Sequence, residues 1–126
     1  MPSSKNEPKK DRRKIRKGRQ YEDLAARFYA DLGFDVLDRN WRAGRKEIDL
    51  IVQRGDLVAF VEVKSSSSKR YGHPAERVDN RKIVHLSECA HHYIEEHDLK
   101  GVDFRFDVVT FVDGTLEHFP NAFEVE

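Results

Sequence analysis

Two short runs, Glu47-Ile48-Asp49-Leu50-Ile51 and Phe60-Val61-Glu62-Val63-Lys64, set acids and one lysine inside apolar, strand-like sequence. Successive side chains of a strand point to opposite faces, so Ile48 and Leu50 are predicted to face the core while Glu47 and Asp49 share the other side. Glu62 and Lys64 share a face by the same rule. The intervening Gln53-Arg54-Gly55-Asp56 suits a hairpin turn, which pairs the runs antiparallel and brings Asp49 near Glu62. Two carboxylates and an ammonium would then gather on one patch of rigid sheet.

Such a patch suits metal-assisted cleavage of a phosphodiester. Hard cations such as Mg2+ take oxygen ligands, keep several waters, and are commonly held by one or two carboxylates plus a substrate phosphate. Asp49 and Glu62 would be those ligands, and Lys64 would orient or deprotonate a water or offset charge on the phosphate. The plainer alternative is a solvated strand face with a cross-strand ion pair, worth about 0–1 kcal/mol. In a chain that is 37% charged, spacing alone does not decide between them.

A longer set of motifs narrows the choice. Arg39-Asn40-Trp41-Arg42, the two runs above, Gly72-His73-Pro74-Ala75-Glu76, Arg81-Lys82 and Arg105-Phe106-Asp107-Val108-Val109 occur in one order across residues 18 to 123. Together they closely resemble the YraN-like family of small bacterial proteins, which look like members of the PD-(D/E)XK nuclease superfamily. The resemblance implies a three-layer α/β sandwich, restriction endonuclease-like, with a central mixed sheet flanked by helices. It implies Mg2+- or Mn2+-dependent hydrolysis of DNA, with Asp49 and Glu62 as metal-binding acids and Lys64 as the catalytic lysine. Glu22, on the first helix, matches a further acid beside the metal, and Val63 joins Asp49, Glu62 and Glu22 in the metal set.

The same resemblance gives Lys82 a phosphate contact. Three positions depart from the usual pattern: Lys46 and Tyr21 stand where glycine is common, and Ser66 stands where an arginine usually follows the catalytic lysine. Lys69 or Arg70 would replace that arginine, and Arg42 is a further candidate for nucleic-acid contact. The second functional class is a nonenzymatic nucleic-acid-binding or adaptor protein on the same fold.

Length fits one compact domain, predicted over 18–126. Residues 1–20 hold nine Lys or Arg against Glu7 and Asp11, so 1–17 reads as a disordered basic arm that either meets nucleic acid, solubilises the chain, or reflects a misplaced translational start. The remainder carries 14 basic and 21 acidic residues, and a body that acidic depends on local basic patches, metal and the arm to meet phosphates. No apolar stretch approaches the roughly 18–20 residues of a membrane span, and no secretory h-region follows the charged start, so a cytoplasmic protein is expected. Cys89, the single cysteine, reads as a small packing residue.

Helical spacing of Tyr21, Leu24, Ala25, Phe28 and Leu32 predicts a helix over 18–32 ended by Gly33. Strands are expected over 34–39, 48–52, 57–64, 102–112 and 115–119, with turns at Ala43-Gly44 and Asp113-Gly114 and a second helix from Asp79 or Asn80 to near His97. His85, His91, His92 and His97 on that helix lack the spacing of a zinc site and read as solvated. Trp41 is expected either to stack on an unpaired base or to rim the core. Arg105 and Asp107 read as an ion pair that fixes strand placement. With no helix-turn-helix or zinc finger to read sequence, the expected substrate is branched or single-strand-containing DNA, and a homodimer would supply paired incisions.

Overall fold

The computed structural model of the chain describes the backbone of residues 12–66 and 80–122, and the side chains of 19–66, 81 and 83–122. Its order is α1 (Arg12–Asp31), β1 (Asp35–Ala43), β2 (Lys46–Arg54), β3 (Leu57–Ser66), α2 (Asn80–Glu96), β4 (Asp103–Val112) and β5 (Thr115–Phe119). The strands form one sheet in the order β1-β2-β3-β4-β5. Every neighbouring pair is antiparallel except β3 with β4, whose parallel pairing runs from Leu57↔Asp103 to Ser66↔Val112. A parallel pair requires a crossover rather than a hairpin, and the connection from β3 to β4 contains α2.

Each helix covers its own face, which makes three layers. Ala25 and Tyr29 of α1 pack with Phe34, Leu50, Val52, Ala59, Val61, Val109 and Phe111. Cys89, Ala90 and Tyr93 of α2 pack on the other face with Ile48, Ile51, Val58, Phe60 and Phe106. Cys89 is thus a packing residue, and burial raises its thiol pKa. Strands with apolar residues on both faces read as continuous hydrophobic runs, which is why Leu50-Ile51-Val52 and Val58 to Val61 show no alternation.

Three local expectations need correction. Helix α1 reaches back to Arg12, so residues 12–17, predicted to lie in the arm, continue the helix; residues 1–11 lie outside the described residues. Its inward stripe is centred on Ala25 and Tyr29, flanked by Tyr21 and Phe28, while Leu24 and Leu32 are each 42% exposed. Strand β1 runs on to Ala43, because Arg39↔Leu50 and Trp41↔Ile48 extend its pairing with β2, and the turn is at Gly44-Arg45. Asn40 adopts φ 52 within that strand, a left-handed conformation that asparagine tolerates better than most residues. Gly33, at φ 91, ends α1 as expected: Phe34 N–H donates to the Tyr29 carbonyl and Gly33 N–H to that of Ala30, both at 3.0 Å.

Asp107 is the buried charge among the described residues, its side chain wholly inaccessible. Arg105 donates to both of its oxygens at 2.8 and 3.2 Å, Tyr29 Oη to Oδ2 at 2.7 Å and Asn121 N–H to Oδ1 at 2.9 Å, and His118 Nε2 lies 3.2 Å from Oδ2. The hydrogen bonds to Asp107 thus join α1, β4, β5 and the following turn. Removing one partner of a buried pair leaves the other charge uncompensated. Asp107→Ala should lower unfolding free energy by about 3–5 kcal/mol in urea denaturation, and a loss below about 1 kcal/mol would show that the network is not what holds these elements together.

Candidate functional site

The candidate acids meet where two strands part. Pairing between β2 and β3 stops at Leu50↔Val61, yet β2 stays paired with β1 as far as Lys46 and β3 stays paired with β4 as far as Ser66. Beyond that point the Asp49 side chain replaces the missing ladder bond, with Val63 N–H donating to its Oδ2 at 2.8 Å. The strands therefore form a fork with a carboxylate bridging it.

Past the fork β2 follows β1 rather than β3. Ile48 consequently packs on the α2 side and Leu50 on the α1 side, not on one common face as strict alternation predicts. On β3 the alternation holds: Val61 and Val63 pack towards α1, Phe60 towards α2, and Glu62 and Lys64 share the α2 side. A cavity of about 210 Å3 lies in the fork, lined by Lys46 to Asp49, Phe60 to Glu62, Leu86, Phe106 and Asp107. Asp49 and Glu62 are thus brought to one cavity, with Lys64 two residues along.

Glu22 approaches from α1. Its Oε1 accepts from Asn40 Nδ2 at 3.2 Å and lies 4.0 Å from Arg39, which also donates to Asp23 at 2.6 Å. Local pattern gives no sign of Asn40 as a site residue; it reaches Glu22 from β1, where it holds a left-handed backbone. The Asp49 carboxyl is pushed up to about 6, first by burial and then by the charges of Glu22, Glu62 and Glu47, against a lowering by the Val63 N–H. Burial is the larger cause of the shift; the three neighbouring acids add negative charge that favours a cation at this point.

The other predicted contacts fall out differently. Arg42 donates to Glu47 at 3.1 Å, so its charge is shared across the β1–β2 hairpin. Lys69 and Arg70 lie outside the described residues, as does the Lys82 side chain. Trp41 rims the α2 core, edge-on to Tyr93 at 5.1 Å. Burial and Asp38 push the Tyr93 phenol up to about 12. His97 stacks on Tyr93 at 4.0 Å and His91 meets Phe104 edge-on at 5.1 Å, so these two histidines pack against rings. Among the described residues no three His, Cys, Asp or Glu side chains are close enough to hold an ion together.

A five-stranded mixed sheet, one helix on each face and carboxylates at the fork define an α/β sandwich of the restriction endonuclease-like kind. The chain belongs to the uncharacterised protein family UPF0102, whose model matches residues 21–111, and this is the YraN family that the sequence resembles. A UPF0102 protein of Sulfurihydrogenibium sp. strain YO3AOP1 is 38% identical over 113 residues, 90% of this chain and 98% of that protein. One from Chloroherpeton thalassium is 44% identical over 95 residues, 75% and 74% of the two chains, and one from Myxococcus xanthus is 39% identical over 111 residues, 85% and 88%.

The raised Asp49 carboxyl has a consequence for stability. Between its ordinary value of 3.8 and about 6 the folded chain holds this proton more tightly than the unfolded chain, so stability from this group falls as pH rises through that window and stays lower above it. Asp49→Asn keeps an acceptor for Val63 and removes the charge. In metal-free buffer it should raise the melting temperature at pH 7 and leave it unchanged at pH 4, as read by thermal melts; a lower melting temperature at pH 7 would show that the carboxylate stabilises the fold.

Proposed function

We propose that this protein is a metal-dependent endonuclease that hydrolyses phosphodiester bonds in branched or otherwise irregular DNA in the cytoplasm. The observation that carries this reading is the Asp49 carboxyl, held near 6 among other acids and opening on the fork cavity beside Glu62. The donor set fits Mg2+ or Mn2+, which need only one or two carboxylates with water and substrate oxygens completing the shell. It does not fit a closed zinc site, which requires about four protein ligands.

In this reading Asp49 and Glu62 hold the ion, Glu22 adds negative charge behind them, and the backbone around Val63 keeps Asp49 Oδ2 aimed into the fork. The bound ion supplies Lewis acidity towards a phosphoryl oxygen and acidifies water. Lys64 Nζ, on the Glu62 face, orients the attacking water or offsets charge on the phosphate. One site cuts one strand, so paired incisions call for a homodimer. The second reading, a nonenzymatic nucleic-acid binder, draws support from the lack of a three-donor cluster among the described residues.

Labelled branched, single-stranded and linear duplex DNA incubated with the protein and Mg2+ or Mn2+ separates the two. Cleavage should require metal, favour the branched or single-stranded substrates, and fall about a hundredfold or more in Glu62→Gln and in Lys64→Ala. Retained DNA binding with no cutting would establish the binder instead.

A further inference from the structure

A second, wider cavity of about 670 Å3 opens between the tip of the β1–β2 hairpin and α2, lined by Ala43 to Lys46 on one wall and by His85, Glu88, Cys89 and His92 on the other. Lys46 also lines the fork cavity, so the two spaces share this residue as a wall. Histidines 85 and 92 are seven residues apart and therefore share a helix face, with Cys89 between them. Spacing along α2 does not reveal what this pair faces, because the opposite wall comes from a distant hairpin.

We infer that this groove carries an unpaired nucleic-acid strand to or from the fork, with Arg45 and Lys46 holding its phosphates; this rests on the reading of the fork as a phosphodiester site. Arg45 and Lys46 are exposed cations at the hairpin tip; the facing wall carries Glu88, and Glu96 lies 3.2 Å from His92 Nε2 beside it. Glu47 next to them is offset by Arg42. In a protein whose residues 21–126 hold more acids than bases, this is a local concentration of positive charge leading out of the acidic fork.

Aromatic rings face these cations across the groove. His92 lies on the groove wall with its ring 6.0 Å from that of Trp41, which is only half-buried, and His85 lies two turns away on the same wall. Cations that follow a backbone together with rings on which bases stack are the combination used to hold single strands without reading sequence. A duplex presents its bases already stacked and gains nothing from such rings.

The test is binding of a labelled oligothymidine without divalent ion, so that nothing is cut, as a function of salt. Every phosphate of a single strand that a cationic side chain neutralises adds about 0.7 to the slope of log affinity against log salt. The double variant Arg45→Gln/Lys46→Gln should therefore reduce the slope by about 1.4, while Arg27→Gln/Lys100→Gln, exposed cations on α1 and after α2, leaves it unchanged. Circular dichroism verifies that both remain folded. An unchanged slope in the hairpin variant, an equal reduction in the control, no oligothymidine binding at all, or an equal dependence with a blunt duplex overturns the groove assignment. Metal-dependent cutting by the unaltered chain is scored separately, so the groove can fail while the nuclease reading stands, and the reverse.

Discussion

The parting of β2 from β3 at Leu50 and Val61 is the constraint on which the rest depends. A ladder that continued to Lys46 would set Asp49 directly opposite Glu62 on one face of the sheet, where like charges repel one another. Separation leaves a backbone N–H at Val63 without its ladder partner, and an unpaired buried donor costs about 1–3 kcal/mol. The Asp49 carboxylate satisfies it at 2.8 Å. One interaction thus completes the hydrogen bonding of the open strand end and fixes the direction of a candidate ligand.

Holding several acids near that point works against stability, and the surroundings limit the cost. Asn40 and Arg39 lie against Glu22, and Arg42 binds Glu47. The Asp49 carboxyl remains raised, first by its burial and then by the charges of Glu22, Glu62 and Glu47. Deeper in the sheet the opposite arrangement holds: Asp107 is saturated by Arg105, Tyr29, His118 and Asn121. Burial and the adjacent Asp107 also push the Tyr29 phenol up, which keeps it a donor. The contrast between a satisfied buried carboxylate and a frustrated one at the fork separates the structural acid from the candidate functional acid.

Much of this was legible in the sequence because it depends on local pattern. The hairpin from β2 to β3, the Asp113-Gly114 turn with both residues at positive φ, the β5 limits and the Gly33 cap follow from turn and capping chemistry within a few residues. The Arg105–Asp107 pair was legible as a same-face pair two apart. Tyr29 was not, because its neighbours on α1 are also apolar and only the position of Asp107, 78 residues away, determines which of them turns inward. The fork was hidden for a related reason: strand pairing is a relation between segments, and Asp49-Leu50-Ile51 reads the same whether or not its partner continues.

The sequence by itself determined the kind and order of the elements and placed carboxylates at Asp49 and Glu62 with a lysine at 64, since strand period and turn residues act over a few positions. Tertiary structure alone decided that Ile48 and Leu50 serve opposite cores, that Asn40 meets Glu22, and that Lys46 lines two cavities. These are consequences of where β2 leaves β3 and of which face each helix covers, and both are set by long-range packing and not by any local run of residues.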